Sequence, residues 1–554
     1  MNARHDPSAA NTSNELAESK SVLPSHRQKA QDGTRFHLDS YQLLLIIIVF
    51  GAGVRFLFLG WKSFWYDELY DVWSSRLALG SMMREALASG HPPLYYLIGH
   101  FWFALGSGEV WDRMVSWAAG AATIWLVYQV GKDLFSRRTG LWGAALAAVA
   151  PMLVAYSDMA TSYSFVTFLS ALSFYFLIRS SKYGGWKNFS GYIASTLAVA
   201  ATYFYFPALL VAGAMAYFLL RDSKRSNLRV WLSCQVLLAL IAIISIQVAK
   251  SGTAPGWLVA NAWSTKWFIK SLVATPPILF GGDFTWLSLT SNNYKLLGFS
   301  LSQLAIIELL PLLILLFIFL FWEHFRKRII NKAVGAIAVW TGVLIVGPVV
   351  GESLRSRFTS DRFYAWAIPT AILLFVVIIE ALPKKISYAF GAVALASLSF
   401  LTIYGSGIFP PNEDWRGVEN IIASHGQPGD VLDCFPQHAC VVASSFYGNL
   451  SYPIVGGFPS GPNLVYFLPP GDVWAGYASG YYTGHGESAP LLGNALTDRL
   501  VSDINGAKRV WLVVEGDTSP QLQPCIQKDF NQQEVWRFNQ VGQPFNLKLF
   551  VKKP

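Results

Sequence analysis

The chain has 554 residues, of which 53% are hydrophobic and 14% charged, with 21 Trp, 24 Tyr and a formal net charge of +9. That apolar fraction, with a positive mean hydropathy, marks a polytopic membrane protein whose aromatic residues suit interfacial belts. The positive charge does not argue for nucleic acid, because the basic residues gather in short clusters between apolar segments, a pattern that sets membrane orientation.

Residues 1–40 are polar, with Arg4, Lys20, Arg27, Lys29 and Arg35, and are expected to form a disordered cytoplasmic tail. Tyr41–Trp61 is the first apolar segment, long enough to cross a hydrocarbon core of about 30 Å at ~1.5 Å per helical residue. Leu57–Ser63 offers no small-x-small cleavage site, so this segment reads as a retained anchor. Directly after it comes Trp65-Tyr66-Asp67-Glu68-Leu69, two adjacent carboxylates just outside a membrane face. Acids so placed can meet a lipid head group on one side and water on the other, which suits chemistry on a lipid-borne substrate better than passage through a pore.

Five basic clusters follow: Lys132…Arg138, Arg179…Lys187, Arg221…Arg229, Arg326…Lys332 and Lys384-Lys385. Placing all of them in the cytoplasm with the N-terminal tail obliges the chain to cross an even number of times between neighbours. The spans are then Met114–Gly131, Gly140–Ser157, Tyr163–Ile178, Phe189–Tyr205, Pro207–Leu220, Val230–Ala249, Gln303–Trp322, Ala333–Val350, Phe363–Leu382 and Ile386–Tyr404. Pro92–Gly106 becomes surplus. It is short and opens on Pro92-Pro93, as a helix start does, and is expected as an external juxtamembrane or re-entrant helix. The count is about eleven spans, with the N-terminus inside and the C-terminus outside.

After Gly405, Pro410-Pro411-Asn412 breaks the last helix, and about 150 residues of mixed polarity follow. β-type runs such as Asp430–Leu432, Cys440–Val442 and Arg509–Val514 alternate with helical stretches at Trp415–Ser424 and Ala489–Ile504, which predicts a small extracytoplasmic α/β domain. The fold class is therefore an all-α polytopic membrane domain, residues 41–404, followed by an α/β domain, residues 405–554. Of four cysteines, Cys234 lies in a helix and Cys434, Cys440 and Cys525 in the outer domain; a Cys434–Cys440 disulfide suits an oxidising compartment, with the pairing left open.

Charge counting alone puts Asp67, Glu68, His91, Asp158, the loop Lys250–Ser302 and the loop Gly351–Arg362 on one outer face. Each has an ordinary alternative. Exposed acids are common, Asp158 at a helix end is cheap to hydrate, and His91 before Pro-Pro can be a packing residue. Cations at such a face can snorkel to lipid head groups or simply be solvated. No Asp-x-Asp and no His/Cys cluster of metal-ligand spacing occurs, so no metal site or certain cofactor is named, a divalent metal staying open.

Ser63-Phe64-Trp65-Tyr66-Asp67-Glu68 resembles the Ser-x-Trp-x-Asp-Glu of the first external loop of membrane glycosyltransferases of the GT-C superfold. His91-Pro92-Pro93-Leu94-Tyr95-Tyr96, Gly131-Lys132-Asp133-Leu134-Phe135-Ser136-Arg137-Arg138, Pro151…Tyr156-Ser157, Glu413-Asp414-Trp415-Arg416 and Pro428-Gly429-Asp430 follow in the same order. The nearest branch is the dolichyl-phosphate-mannose–protein mannosyltransferases with the bacterial transferases of aminoarabinose and galacturonic acid. The resemblance implies a polyprenyl-phosphate-linked sugar donor, a lipid, glycan or protein hydroxyl acceptor, contact with membrane lipids, and a bacterial inner membrane with the site on its periplasmic face.

It implies Asp67 as the base, with Glu68 supporting it; the functional reading of Asp158 places it opposite Asp67, either on the acceptor or helping a metal site. One carboxylate base can suffice, because a phosphate leaving group needs little protonation. Relatives carry Gln-Glu-Ala-Arg-x-Tyr where this chain has Ser157-Asp158-Met159-Ala160-Thr161-Ser162-Tyr163, so another cation must take the donor phosphate. Arg362 is the first candidate, then Arg357, His91 and Lys266, with Arg355 and Lys270 weaker; an Arg offers a bidentate fork to phosphate. A transporter or lipid flippase is the alternative class, but it calls for inverted repeats and midplane charges. A non-catalytic scaffold would leave the ordered acid, His-Pro-Pro and Arg set without a purpose.

Overall fold

The computed structural model describes residues 39–88, 91–222, 227–251, 263–281, 331–354, 359, 361–403, 413–435, 504–515, 522–538 and 545–554, with short pieces at 295–296, 299–300, 443, 446–447 and 501. The expected tail, the span Gln303–Trp322, the run Cys440–Val442 and Arg355 and Arg357 lie outside the described residues.

Helix α1, Ser40–Phe58, starts on Asp39, whose carboxylate accepts from the amides of Tyr41 and Gln42 while its own amide donates to the Gln42 side-chain oxygen. Three short helices follow, α2 (Tyr66–Arg76), α3 (Leu79–Ala88) and α4 (Leu94–Phe103). Ten residues give α4 a length of about 15 Å, half a hydrocarbon core. The long α5 is Glu109–Leu134, and α6 (Arg137–Ala148) and α7 (Pro151–Ser157) form a pair bent by 57°. Then come α8 (Ser162–Tyr183), α9 (Trp186–Ala200), α10 (Phe206–Leu220), α11 (Leu228–Ser251) and α12 (Thr265–Gly281). The last of these puts a helix, packed on α13, where the sequence suggested only a long loop. Residues 332–402 supply α13 (Lys332–Ser353), a 3₁₀ segment (Asp361–Ala367), α14 (Ile368–Glu380) and α15 (Lys384–Thr402).

Among the described residues, five helical segments are long and apolar enough to cross a membrane, or six with the bent pair, against about eleven expected from sequence. The difference lies in α5, α9, α10 and α11, which are present as helices but do not meet that criterion, and in the undescribed span. Helices α9 and α10 are 15 residues each, α9 shorter than the expected Phe189–Tyr205 and α10 close to the expected Pro207–Leu220. The first helix is also the most lipid-like, with one sixth of its apolar window buried in the protein, whereas two thirds of α8 is buried.

The bend between α6 and α7 follows from Pro151, which has no amide to bond the Ala147 carbonyl four residues back. Arg55 of α1 fills the gap. Its Nη2 donates to the Ala147 carbonyl at 3.0 Å, its Nη1 to Ala148 and Gly51 at 2.8 and 2.9 Å, and its Nε to the Ser157 hydroxyl at 3.2 Å. Gly120 of α5 permits this approach, since a Cβ there would lie 1.9 Å from the Ser157 hydroxyl. Arg55, fully buried, is thus a staple across a broken helix rather than a transport charge. Replacing it by Met should strand two helix-end carbonyls at roughly 1–3 kcal/mol each, and thermal unfolding of the detergent-solubilised variant should come several degrees lower. An unchanged midpoint would count against the staple.

The C-terminal domain pairs α16 (Trp415–His425) and α17 (Leu522–Asp529) with four strands. With the two-residue strands β1 (Lys295–Leu296) and β2 (Phe299–Ser300) counted first, these are β3 (Val431–Phe435), β4 (Arg509–Glu515), β5 (Phe530–Phe538) and β6 (Phe545–Lys552), in sheet order β3-β4-β6-β5. β3 and β4 run parallel, and the other two pairings are antiparallel. Cys434 in β3 is disulfide-bonded, and Cys234 is a buried free thiol.

This domain does not hang free. Phe64, Leu69, Tyr70 and Val72, in the segment after α1, share one apolar cluster with Trp415, Val418 and Ile422 of α16 and with Leu432, Trp511 and Leu547 of the sheet. Polar contacts bind the seam: Ser63 donates to the Glu413 carbonyl at 2.7 Å, the Phe64 amide to the Tyr447 hydroxyl at 3.2 Å, and Arg416 pairs with Glu109. The C-terminal domain therefore braces the segment that carries Asp67.

Candidate active site

Asp67 and Glu68 sit in the first turn of α2, where a helix N-terminus favours carboxylates. Adjacent helical residues point about 100° apart, and the two acids have separate fates. Glu68 turns inward and takes a bidentate ion pair from Arg113 of α5, with Nε to Oε1 at 2.7 Å and Nη2 to Oε2 at 2.8 Å. It also accepts from the Ala160 amide at 2.7 Å. Arg113 spends its remaining donors on the carbonyls of Leu59, Lys62 and Ser63 and lies over the Phe64 ring at 4.8 Å. Both side chains are only 2% exposed, so Glu68 is a fastener for the loop and is out of reach of a substrate.

Asp67 turns the other way and pairs with Arg362, which arrives from the 3₁₀ segment 295 residues later. This pair is open, with side-chain exposures of 28% and 33%. Arg362 also donates to the Tyr163 hydroxyl at 3.2 Å and faces the Trp65 and Tyr163 rings, 5.7 and 5.9 Å from their centroids. His91 lies in the field of both Asp67 and Arg362 and packs edge-on against Tyr96 at 6.3 Å. Three residues far apart in sequence thus come together: a carboxylate, a guanidinium and an imidazole.

Burial lowers the His91 pKa to about 4, with the Asp67 charge opposing the shift, so the ring is neutral at pH 7. Because the folded value is depressed from 6.5, the unfolded chain takes up this proton first as pH falls. His91 therefore contributes a stability loss between about pH 6.5 and 4, absent above that window. The thermal midpoint of a His91→Gln variant should decline less steeply than wild type across that range; parallel curves would refute the assignment.

Asp158 is placed differently from the expectation. It caps the end of α7 among Arg55, Arg113, Lys62 and Glu68, on the Glu68 side of the loop, and one of its carboxylate oxygens, Oδ1, is buried without a hydrogen-bond partner. Burial pushes its carboxyl well above the usual range, with the Arg55 charge opposing, while burial pulls the neighbouring Lys62 ammonium down to about 8. The grouping makes Asp158 a companion of the loop fastener. Lys266, near the start of α12, is exposed and stacks near its own neighbour Trp267, the ring centroid 5.5 Å away. Among the described residues, no group of three or more His, Cys, Asp or Glu side chains is arranged to hold a metal ion.

Sequence reasoning passed over four residues here. Arg113 was legible as a charge in Trp111-Asp112-Arg113 at the outer end of an apolar span. Asp71 follows Asp67 by four residues, the spacing that puts two carboxylates on one helix face. It accepts from the Tyr96 hydroxyl at 2.8 Å, and burial pushes its carboxyl well above the usual range. Tyr96 and Tyr163 stand in the quoted His-Pro-Pro-Leu-Tyr-Tyr and Arg-x-Tyr stretches, but the reading gave neither a role.

With this geometry in hand, known proteins can be compared. The dolichyl-phosphate-mannose-protein mannosyltransferase family model matches residues 90–248. The solved structure of ArnT from Cupriavidus metallidurans in the apo state superposes at a TM-score of 0.52 and 13% identity, over 92% of this chain and 98% of that one. The chain has the GT-C fold of membrane glycosyltransferases. ArnT from the same organism bound to undecaprenyl phosphate gives 0.48 at 13% identity, covering 91% and 97%. The oligosaccharyltransferase AglB from Archaeoglobus fulgidus, in complex with an inhibitory peptide and a dolichol-phosphate, gives 0.48 at 12%, covering 93% and 74%. No curated protein matches by sequence.

Proposed function

We propose that this GT-C chain is an inverting glycosyltransferase that moves a sugar from a polyprenyl-phosphate donor to a hydroxyl on a lipid, glycan or protein at the outer face of a bacterial inner membrane. The observation that carries the reading is the open Asp67–Arg362 pair, a proton acceptor and a phosphate-type cation held side by side at a helix start. The name of the family matching residues 90–248 supports the donor class.

In the reaction, a donor phosphate draws Arg362 from Asp67, and the freed carboxylate faces the incoming hydroxyl. The hydroxyl oxygen bonds to the anomeric carbon as its proton passes to Asp67. The bond from that carbon to the phosphate oxygen breaks, and the developing phosphate charge stays on Arg362. Glu68, sealed with Arg113, keeps Asp67 in place. Neutral His91 can accept a hydrogen bond beside them.

Arg362→Ala tests the reading. The lost charge-assisted contact is worth roughly 1.5–3 kcal/mol, more than an exposed ion pair, so donor affinity and turnover should both fall at least tenfold. Normal titration and turnover in that variant, with failure in Lys266→Ala or His91→Ala, would move the phosphate site elsewhere.

A further inference from the structure

Where the end of α1 meets the start of α5 there is a cavity of about 500 Å³, walled by Gly60, Ser107, Val110, Trp111, Met114 and Arg416 among others. The donor-phosphate reading uses none of these residues. Packing at the wall is close, since a Cβ on Gly60 would lie 3.0 Å from Val110 Cγ2. Trp111 is fixed in place. Its ring stacks on Trp102 with centroids 4.5 Å apart, and each indole N–H donates to the other residue's backbone carbonyl, at 2.9 and 3.2 Å.

Arg416 comes to the cavity from α16. Its Nε and Nη2 serve the seam, pairing with Glu109 and donating to the Gly60 carbonyl at 3.3 Å. Its Nη1, with two N–H groups, has no partner among the described residues, and the side chain is 38% exposed. A guanidinium can only donate, so this free edge calls for an acceptor. On a polar surface water alone would serve, but the surroundings are apolar. Phe56 and Leu57 in the last turn of α1, Trp61 beside Gly60, Leu105 just before Ser107, and Val110 in the wall are all exposed.

Depth narrows the choice of ligand. The 19 residues of α1 run about 28 Å, close to the thickness of a hydrocarbon core. Gly60, two residues past its end, therefore falls at the level of lipid head groups, where Trp is the usual side chain. A ligand for this cavity offers an anion to Nη1 and an apolar body to Val110 and Met114. A soluble phosphate ester leaves the apolar wall unused, and a neutral diacylglycerol brings no charge to the guanidinium. A phospholipid supplies both.

We propose that the cavity binds one phospholipid of the surrounding membrane, its phosphate on Arg416 Nη1 and its glycerol and upper acyl carbons on Val110 and Met114. Because Arg416 also pairs with Glu109, the lipid joins the C-terminal domain to the bilayer beside the segment that carries Asp67. The site is independent of the donor-phosphate reading.

The probe is phosphatidylethanolamine, titrated into the delipidated full-length chain in detergent and counted by native mass spectrometry, beside dioleoylglycerol and inorganic phosphate. A single phosphatidylethanolamine per chain is expected at saturation, with no binding of the other two. Arg416→Ala should weaken it roughly tenfold or more, the loss expected of a charge-assisted bond. That variant also cuts the seam, so Val110→Glu is the second. It sets a carboxylate against the phosphate from an exposed first helical turn, a position that favours acids. Its binding should fall as far, with the lipid-free melting point unchanged.

Normal binding in both variants overturns the proposal. Loss in Arg416→Ala alone does so too, since the effect then lies in the seam, as does a lower lipid-free melting point in Val110→Glu. Equal binding of dioleoylglycerol reduces the cavity to ordinary lipid-facing surface, and binding of inorganic phosphate makes it a free-anion site; either result overturns the assignment. None of these outcomes touches Arg362 and the donor.

Discussion

Asp67→Asn should leave the protein folded and membrane-inserted and reduce sugar transfer by a factor on the order of 10²–10⁴, the usual contribution of a positioned base. The substitution is nearly isosteric, and the amide oxygen can still accept from Arg362, so donor binding should survive. The effect should therefore appear in kcat more than in donor KM, which separates a base from a binding residue. The two acids at the loop have opposite fates because of burial alone: Asp67 is the one a substrate can reach, and Glu68 is closed behind Arg113. Wild-type turnover by the purified Asn variant would remove Asp67 from the mechanism.

Much of this site is readable in the chain before any coordinates. Asp67 follows an apolar segment of membrane length, and parity of the basic clusters brings Asp67, His91 and Arg362 to the same outer face. The structure joins these three. The parity argument rests on the cost of misplacing charge on short loops. It gives sidedness but not orientation within a face, so it could not tell that Asp158 lies with Glu68 and not across from Asp67. Helix phase separates them: one 100° step turns Glu68 into the protein and Asp67 out of it.

The membrane helices were legible by apolar length, but their breaks were less so. Pro151 was visible, yet the single run Gly140–Ser157 read as one span; the bend needs Arg55, distant in sequence, to be tolerable. In the C-terminal domain β3 and β4 stand where their β-branched runs put them, whereas β5 and β6 were missed. For β6 the signal existed: Phe545, Leu547 and Leu549 alternate with Asn546 and Lys548 and are buried against the loop core. β5 is an edge strand with most of its first six side chains exposed, so its sequence, Phe-Asn-Gln-Gln-Glu-Val-Trp-Arg-Phe, carries little apolar pattern. The seam between α16 and the Asp67 loop left no local trace, since each half looks like ordinary amphipathic surface alone.

The Glu68–Arg113 pair should show the complementary phenotype, loss of the fold around the site. Removing one member of a sealed ion pair leaves the other charge buried and typically costs about 3–5 kcal/mol. Glu68→Ala also strands the Ala160 amide, and Arg113→Ala strands the carbonyls of Leu59, Lys62 and Ser63. Both variants should melt well below wild type, and limited proteolysis should cut the 59–65 loop that Arg113 ties down. Many buried ion pairs can be replaced by matched apolar residues with little loss. Here the double variant Glu68→Leu/Arg113→Met should not recover, because the three carbonyls still need donors. A double variant that melts like wild type would show that the pair fastens nothing, and Glu68 would again be open to a chemical role. Transfer activity measured at a temperature where Glu68→Gln remains folded separates the cases, since a fastener should then lose far less turnover than Asp67→Asn.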